Sequence, residues 1–423
     1  MKSIPKHDHL NAAVTAPPSK SYSVRALLLG AMSEGTTTIT NCLDADDTRY
    51  ALEALRTIGF RIDGTFKTGV AIGPRVGMSA NEVPVFIGNA GTAMRFLTGW
   101  LAFTPGRFIL QGEARMHERP IGDLVEVLLS IGAEVEYVDR EGYPPLRIRG
   151  KKMRGGFDVA IAADTSSQFA SSLMMAGATL PDGITLRLTS LASASYLDIT
   201  ASILTAFGAD VQRRGNIVHV SAATLRRDEY HVEGDYSSAS YWFAAAAATR
   251  GTIRVRGLVH PSAQGDAAFL DILAAMGCTV NIADEITVTG TEELRGGRFD
   301  CNSSPDLVPT LAAIAPLASS PVEIVNVANL RVKESDRLAT VTSELRRLGA
   351  TVEERPDSLL IQPGWSSDPA SDPATIETHN DHRIAMAFAI AGLARGNVTI
   401  ADEQVVSKSY PRFWKTLDEL LSS

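Results

Sequence analysis

The chain repeats one helix–strand pattern, and this periodicity limits what the chain can fold into. In each copy an amphipathic helix ends at a glycine and a polar strand follows, as in LEALRTIGFRID and VEVLLSIGAEVEY. The glycines that end these helices lie 73, 76, 69 and 72 residues apart, at Gly59, Gly132, Gly208, Gly277 and Gly349. A glycine at such a position supplies the left-handed backbone conformation that closes a helix.

A second pattern lies between these helices: a small-residue apolar helix, a tight turn and a β-branched strand. Its turns are 68 to 77 residues apart and are centred on Gly35, Gly106, Gly183, Gly251, Pro321 and Gly396. One sixth of the 423-residue chain is about 70 residues, so six copies fill it and divide naturally as three plus three. Solenoid repeats are shorter, about 20–50 residues. Each copy is therefore predicted to be a small α/β subdomain.

The two types of helix differ in their polarity. Segments 241–249 and 385–394 are apolar nearly all round, which is typical of buried helices, whereas the other type has a polar face. We therefore expect an α/β fold with two similar domains, in which sheets surround buried parallel helices.

Composition excludes several classes of protein. Forty Lys and Arg against 48 Asp and Glu give a net charge of −8, which disfavours a nucleic-acid binder. The three cysteines, Cys42, Cys278 and Cys301, cannot form a disulfide scaffold and fit a reducing compartment. No apolar stretch reaches the ~18 residues of a membrane span, and the first twenty residues lack a signal-peptide core. These features predict a cytoplasmic protein.

Polar, cation-bearing segments begin the apolar helices. They are PPSKSYSVR, GNAGTAMR, DTSSQF, GDYSSAS, SSPDLVP and HNDHR. The N-terminus of a helix attracts anions, and cations accompany these segments and the other polar loops, at Lys20, Arg25, Arg95, Arg119, Arg331, Lys333, Arg337, Arg383 and Lys408. In a net-acidic chain this pattern favours a small polyanionic ligand. Asp306 and Glu334 lie among the cations and are candidates for a general acid or base.

Each segment alone also has a structural interpretation. Ser, Asp and Gly cap helices without binding anything, and GNAGTA alone is a glycine turn. HNDHR contains a His-x-x-His pair, but no third ligand is evident, so no metal site is predicted. The recurrence of these segments at matching positions of the repeats favours a ligand site.

Taken together, the motifs resemble the 5-enolpyruvylshikimate-3-phosphate synthase family, also called the 3-phosphoshikimate 1-carboxyvinyltransferases. PSKSYSVRALLL, GNAGTAMR, ERPIGDLVEVL, SSQF, EGDYSSASYW, RVKESDRL and NDHRIAM occur in the family's order and spacing over essentially the whole chain. The resemblance implies two similar α/β domains, each of three βαβαββ repeats around buried parallel helices (an inside-out α/β barrel), with the active site in the interdomain cleft. It implies one domain at 17–232, with most shikimate 3-phosphate contacts. The other domain, 1–16 plus 233–423, would carry Asp306, Glu334 and most phosphoenolpyruvate contacts.

The resemblance also implies an activity. Enzymes of this family transfer the enolpyruvyl (carboxyvinyl) group of phosphoenolpyruvate to the 5-hydroxyl of shikimate 3-phosphate and release phosphate, by addition and elimination through a tetrahedral intermediate. This step belongs to the shikimate pathway to chorismate and aromatic amino acids, and it is the target of glyphosate. The family needs no metal or organic cofactor. We expect a monomer whose partners are its two small-molecule substrates, with no nucleic acid or membrane.

The family's functional residues transfer by motif onto this chain. The catalytic residues are expected to be Asp306, Glu334 and Lys20. The shikimate 3-phosphate contacts are expected to be Lys20, Ser21, Arg25, Ser166, Ser167, Gln168, Ser193, Tyr196, Asp306, Asn329 and Lys333. The phosphoenolpyruvate contacts are expected to be Lys20, Gly91, Arg119, Gln168, Glu334, Arg337, Arg383 and Lys408.

One departure and several alternatives bear on this interpretation. Many family members carry proline after GNAGTAMR, whereas this chain has Phe96, which puts glyphosate sensitivity in doubt more than catalysis. The related UDP-N-acetylglucosamine enolpyruvyl transferases generally use a loop cysteine, and the loop at 111–120 contains none. An RNA-phosphate cyclase would need a nucleotide site and a histidine nucleophile. A non-catalytic protein that binds anionic metabolites would be expected to have lost Asp306, Glu334 or Lys20.

Overall fold

The chain divides into two compact units in a computed structural model that describes residues 1–77, 81–365 and 372–422. One unit is Pro18–Glu233, and the other joins Met1–Pro17 to Gly234–Ser423. Ser19 N–H donates to Glu233 O (2.8 Å) within one unit, and Asp235 N–H donates to Pro17 O (2.8 Å) within the other.

Strands and helices alternate along the chain as the repeats predict. The strands are β1 (Lys2–Ile4), β2 (Asn11–Thr15), β3 (Thr37–Thr40), β4 (Phe60–Thr65), β5 (Gly69–Arg75), β6 (Val83–Phe86), β7 (Gly106–Gln111), β8 (Glu134–Tyr137), β9 (Leu146–Gly150), β10 (Phe157–Ala163), β11 (Ile184–Leu191), β12 (Val211–Arg214), β13 (Ile217–Val220), β14 (Glu229–His231), β15 (Thr252–Arg256), β16 (Thr279–Ile282), β17 (Ile286–Thr289), β18 (Gly297–Asp300), β19 (Val322–Val325), β20 (Val352–Glu354), β21 (Leu359–Ile361), β22 (Ala374–Ile376) and β23 (Val398–Ile400). The α-helices are α1 (Lys20–Met32), α2 (Asp46–Ile58), α3 (Gly91–Ala102), α4 (Gly122–Ser130), α5 (Ser167–Gly177), α6 (Ser195–Ala206), α7 (Tyr236–Thr249), α8 (Phe269–Ala275), α9 (Val308–Ile314), α10 (Arg337–Arg347), α11 (His382–Arg395) and α12 (Phe413–Leu421). Short 3-10 turns precede several helices.

The unit Pro18–Glu233 contains three four-stranded sheets within the described ranges. Their strand orders are β14-β3-β5-β4, β6-β7-β9-β8 and β10-β11-β13-β12. In each sheet the first two strands are parallel and the other neighbours are antiparallel. This is the pairing of a βαβαββ repeat. In the first sheet the parallel partner of β3 is β14, which comes from the far end of the unit.

The second unit follows the same plan with one shorter sheet. Its four-stranded sheets have the orders β16-β17-β15-β2 and β18-β19-β21-β20, and the described part of its third sheet is β1-β23-β22. The N-terminal strand β2 is the parallel partner of β15, and β1 lies antiparallel to β23. The start of the chain therefore completes two sheets of this unit.

The buried helices α3 and α5 pack against each other in the first unit, and side-chain contacts fix their relative direction. In the first unit Gln168 Nε2 on α5 donates to Thr92 Oγ1 on α3 (3.1 Å), which joins the first turns of the two helices. One turn further on, Ser172 Oγ donates to Arg95 O (2.6 Å). A Cβ on Gly99 of α3 would lie 2.3 Å from Ser172 Oγ, so only glycine permits this close approach. Helices α3 and α5 are therefore parallel, with their N-termini at the same end.

The predicted glycine caps are confirmed for the amphipathic helices. Gly59, Gly132, Gly208, Gly277 and Gly349 have φ between +86° and +105°. The second pattern departs from this rule at α7, because Arg250 takes the left-handed conformation (φ +56°) in place of Gly251. Gly251 is needed for space instead, since a Cβ there would lie 1.9 Å from Leu10 O. Among the helices of the described residues, none has both the length and the apolar character required to cross a bilayer.

Candidate active site

Lys20 begins helix α1 in the unit Pro18–Glu233. Its Nζ lies 3.4 Å from Asp47 Oδ2, in the first turn of α2. The Asp47 side chain is buried, and Lys20 is half-buried. The ion pair holds the ammonium group beside the first turn of α1, where backbone N–H groups also favour an anion.

Arg25 is a buried cation whose three hydrogen bonds go to two helices of the same unit, α1 and α6. Its Nε donates to Thr200 Oγ1 (2.9 Å), its Nη1 to Ser21 O (3.0 Å) and its Nη2 to Tyr196 O (3.3 Å). Burial lowers the pKa of Arg25 to about 10, so the guanidinium remains charged at neutral pH. The Phe96 ring covers one face of the guanidinium at 4.9 Å, within the range of a cation–π contact. The residue that departs from the family pattern thus packs directly on a predicted substrate ligand.

Arg119 lies against the N-terminus of α3. Its Nη1 donates to Asn89 O (3.3 Å) and Asn89 Oδ1 (3.2 Å). A Cβ on Gly91 would lie 2.6 Å from Arg119 Nη2, so the absence of a side chain lets the guanidinium approach the helix start. In the motif GNAGTA, Gly91 therefore provides the space in which the Arg119 guanidinium packs.

The start of α5 carries the predicted Ser166–Ser167–Gln168 segment. Ser166 is the N-cap and accepts from Gln168 N–H (3.3 Å), while the Gln168 side chain reaches Thr92. Ser193 is buried and has a positive φ of +58°. Tyr196 follows in the first turn of α6, and its carbonyl binds Arg25. Ser171 on α5 accepts from Thr200 (2.9 Å), which links this helix to the Arg25 contacts.

Arg337 is the centre of an ion-pair cluster in the other unit. Its Nη1 donates to Asp306 Oδ1, its Nη2 to Glu334 Oε2 and its Nε to Asp381 Oδ2, each at 2.8 Å. The guanidinium is 1% exposed. Burial alone would lower its pKa, but the charges of Asp381, Glu334 and Asp306 outweigh burial and raise the pKa. Arg337 is therefore permanently charged.

Arg383 is the second cation of this cluster. Its Nη2 donates to Asp306 Oδ2 (2.6 Å), so each oxygen of Asp306 binds a different arginine. Its Nη1 reaches the Tyr241 hydroxyl (3.4 Å), whose pKa burial raises to about 12. The two predicted acid–base carboxylates and two predicted phosphoenolpyruvate ligands thus lie within one set of contacts.

The remaining predicted residues of this unit lie on short 3-10 turns. Asn329 is buried in the turn Ala328–Val332, and Lys333 directly follows it. Lys408 is buried at the end of the turn Glu403–Lys408. Next to it, the Tyr410 hydroxyl accepts from Trp242 Nε1 (3.3 Å) on the inner helix α7.

Sequence reasoning missed some members of the cluster. Asp381 is fully buried, caps α11 by accepting from Arg383 N–H (3.0 Å), and also accepts from Ser335 Oγ (3.1 Å). The sequence feature that could have identified Asp381 is its place as the acidic residue of the HNDHR motif. Asp266 is a further buried carboxyl, hydrogen-bonded by Ser237. Burial first, and then the charge of Asp306, raise the pKa of Asp266 to about 7.

Arg95 and Arg331, two of the cations near the predicted helix starts and loops, bind other parts of the protein fold. Arg95 Nη1 donates to Gly91 O (3.2 Å) and Nη2 to Pro120 O (2.8 Å), tying the start of α3 to the following loop. Arg331 Nη1 pairs with Glu354 (2.8 Å) and Asp336 (3.1 Å). These contacts assign structural roles to both arginines.

Comparison with known proteins identifies the family. The sequence profile of EPSP synthase (3-phosphoshikimate 1-carboxyvinyltransferase) matches residues 4–417. A 3-phosphoshikimate 1-carboxyvinyltransferase of Methanoculleus marisnigri is 44% identical over 414 residues, which is 96% of each chain. One from Aliivibrio fischeri is 41% identical over 418 residues, 97% of each chain. The solved EPSP synthase of Acinetobacter baumannii superposes with a TM-score of 0.81 at 27% identity, covering 99% of this chain and 97% of that one.

These matches extend over nearly the whole chain in both sequence and structure. They confirm the resemblance drawn from the motifs and the predicted two-domain α/β fold. The chain belongs to the EPSP synthase (3-phosphoshikimate 1-carboxyvinyltransferase) family.

Proposed function

We propose that this chain transfers the enolpyruvyl group of phosphoenolpyruvate to the 5-hydroxyl of shikimate 3-phosphate and releases phosphate. The observation that carries the proposal is the cluster in which Arg337 and Arg383 hold Asp306 and Glu334. Both substrates are polyanions, so cations must bind them, and the transfer also needs groups that move protons. A set of arginines interleaved with carboxylates meets both needs.

The chemistry requires three proton transfers. Addition protonates C3 of phosphoenolpyruvate to a methyl group, while the substrate hydroxyl attacks C2 and loses its proton. Elimination then breaks the C2–O bond to phosphate, and the methyl group returns one proton. Asp306, Glu334 and Lys20 are the proposed proton carriers, and the cations stabilise the phosphate as it leaves.

The proposed substrate contacts follow the family motifs. Those for shikimate 3-phosphate are mainly in the unit Pro18–Glu233, where the buried Arg25 provides a fixed charge; they are Lys20, Ser21, Arg25, Ser166, Ser167, Gln168, Ser193, Tyr196, Asp306, Asn329 and Lys333. Those for phosphoenolpyruvate are Lys20, Gly91, Arg119, Gln168, Glu334, Arg337, Arg383 and Lys408.

The cysteines argue against the related UDP-N-acetylglucosamine enolpyruvyl transferase reaction. Cys42, Cys278 and Cys301 are buried. Burial raises the pKa of their thiols to about 12, 11 and 12 respectively. A reactive loop thiol requires exposure and a lowered pKa.

Deuterium incorporation tests the addition–elimination route. In D2O, addition of a deuteron to C3 produces a CH2D methyl group in the tetrahedral intermediate. When the intermediate eliminates phosphate and loses a methyl hydrogen, deuterium is left in the vinyl group of the product. The expected result is deuterium in that vinyl group after turnover. A product without vinyl deuterium would contradict a freely rotating CH2D intermediate, because loss of any one of its three methyl hydrogens leaves deuterium in most product molecules.

Variants test the assigned carboxylates. Asp306→Asn and Glu334→Gln should lower kcat by about 100-fold or more, with much smaller changes in substrate affinity. Asp300→Asn is a matched control, because this exposed aspartate lies six residues before Asp306 and binds only nearby loop atoms among the contacts found, Asn302 N–H and Asn326 Nδ2. Near-normal turnover of Asp306→Asn would refute its role.

We further propose that the protein acts as a cytoplasmic monomer without a metal or organic cofactor. Side-chain cations supply the positive charge that the chemistry needs. Light scattering should give a mass near 45.2 kDa, and activity should persist in EDTA. A larger assembly, or activity lost to the chelator, would contradict this proposal.

A further inference from the structure

The segment 377–383 carries part of the ion-pair cluster in an unfavourable backbone conformation. His379 (φ +51°) and Asn380 (φ +55°) are consecutive non-glycine residues in the left-handed region. Such residues are uncommon, and a surrounding structure must hold them there. Directly after them come Asp381 and Arg383, which bind Arg337 and Asp306. A small shift of this segment would therefore move two members of the cluster.

A buried glutamate on the neighbouring helix α10 holds the segment. The Glu344 side chain is fully buried. Its Oε2 accepts from Glu377 N–H (3.0 Å), and His379 Nε2 lies 3.2 Å from its Oε1. Arg347 Nε donates to Oε2 (2.9 Å), which provides a charge partner for the buried carboxylate.

Helix geometry joins this contact to the cluster. Arg337 and Glu344 are seven residues apart on α10, which places them on the same face about 10 Å apart. Arg337 binds Asp381 near the end of the segment, and Glu344 binds Glu377 and His379 at its beginning. The helix therefore contacts the segment at two points, with the left-handed residues between them.

We propose that Glu344 is a positioning residue for phosphoenolpyruvate binding, acting through segment 377–383 on Arg383 and on the Asp381–Arg337 pair. The inference rests on the proposed roles of Arg337 and Arg383. The side-chain hydrogen bonds of Glu344 are with Ser343, Arg347, Glu377 and His379, so its carboxylate acts on Arg337 and Arg383 only through the segment.

The test compares Glu344, which contacts the segment leading into α11, with Arg395, a buried residue at the other end of α11. Glu344→Ala should raise KM for phosphoenolpyruvate about tenfold and leave KM for shikimate 3-phosphate within about twofold. Arg395→Ala is the matched control: Arg395 is buried and binds the backbone of Leu348, Gly396 and Asp372, about 18 Å along the helix from Arg383. Both variants should unfold at a lower temperature, but only Glu344→Ala should change KM.

Conservative variants extend the test. Glu344→Gln retains an oxygen that can accept from Glu377 N–H and should stay within about threefold of wild type in KM for phosphoenolpyruvate. His379→Ala removes the contact between His379 and Glu344 and should raise KM for phosphoenolpyruvate about threefold. This variant still tests the inference if Glu344→Ala does not fold. The inference is overturned if Glu344→Ala and His379→Ala leave KM unchanged, or if Arg395→Ala raises it equally.

Hydrogen exchange separates this inference from the proposed function. Peptides covering 377–383 should exchange faster in Glu344→Ala than in Arg395→Ala, whether or not the wild type turns over phosphoenolpyruvate. An inactive wild type would refute the proposed function, whereas equal exchange in the two variants would refute the positioning role of Glu344.

Discussion

Replacing Arg337 by methionine should destabilise its unit because three carboxylates share that one cation. Exposed fractions of the carboxylate side chains are 0% for Asp381, 8% for Glu334 and 14% for Asp306. Removing one partner of a buried ion pair costs about 3–5 kcal/mol. Asp306 keeps Arg383, and Asp381 keeps two neutral donors, so the losses do not add. We expect the free energy of unfolding to fall by about 3–5 kcal/mol in total at pH 8.

Urea unfolding followed by tryptophan fluorescence measures the loss. Arg355→Met is the matched control, since Arg355 also pairs with two carboxylates, Glu353 (2.8 Å) and Glu323 (3.0 Å), but is 40% exposed. Exposed pairs contribute about 0–1 kcal/mol each, so this control should change stability by about 1 kcal/mol at most. A loss below about 1 kcal/mol for Arg337→Met at pH 8 would refute the reasoning.

Three further perturbations probe single contacts. Gly91→Ala places a Cβ 2.6 Å from Arg119 Nη2 and should displace the guanidinium. In steady-state assays KM for phosphoenolpyruvate should rise about tenfold, with kcat little changed. An unchanged KM would contradict the role of Arg119 in binding phosphoenolpyruvate. Phe96→Leu removes the aromatic ring that covers Arg25, a contact worth about 0.5–2 kcal/mol. KM for shikimate 3-phosphate should therefore rise about 2- to 30-fold. A rise in KM for phosphoenolpyruvate alone would contradict the role of this contact. Asp266 has a folded pKa of about 7, above its unfolded value, so its stabilising contribution is lost as the pH rises through 7. In urea titrations wild type should therefore lose stability relative to Asp266→Asn between pH 5 and 8, by about 3 kcal/mol, and parallel pH profiles would contradict the raised pKa of Asp266.

The repeat architecture could be predicted from the sequence because its signals are local. Gly59 and Gly349 end amphipathic helices by the same left-handed turn, and the apolar segment 385–394 lies within a buried helix. Strand pairing was harder, because it depends on residues far apart in the chain. β14 pairs with β3, and β2 pairs with β15, although the two strands of each pair lie far apart in the chain. The residues of a single strand do not indicate which partner that strand takes.

The candidate site could be predicted only in part. Residue type alone did not distinguish Arg95 and Arg331, which bind scaffold atoms, from Arg337, which binds three carboxylates. The difference lies in which loops the fold brings together. Asp381 was missed for the same reason: its partner Arg337 is 44 residues away, and a buried acid has the same sequence signature as an exposed helix cap.

Phosphate release is the measurement that tests the proposed reaction most directly. The purified protein is mixed with phosphoenolpyruvate alone, with shikimate 3-phosphate, or with UDP-N-acetylglucosamine, and inorganic phosphate is followed over time. We predict release that requires shikimate 3-phosphate and is absent in the other two mixtures. Release only with the UDP sugar, or none in any mixture from folded protein, would contradict the proposed function.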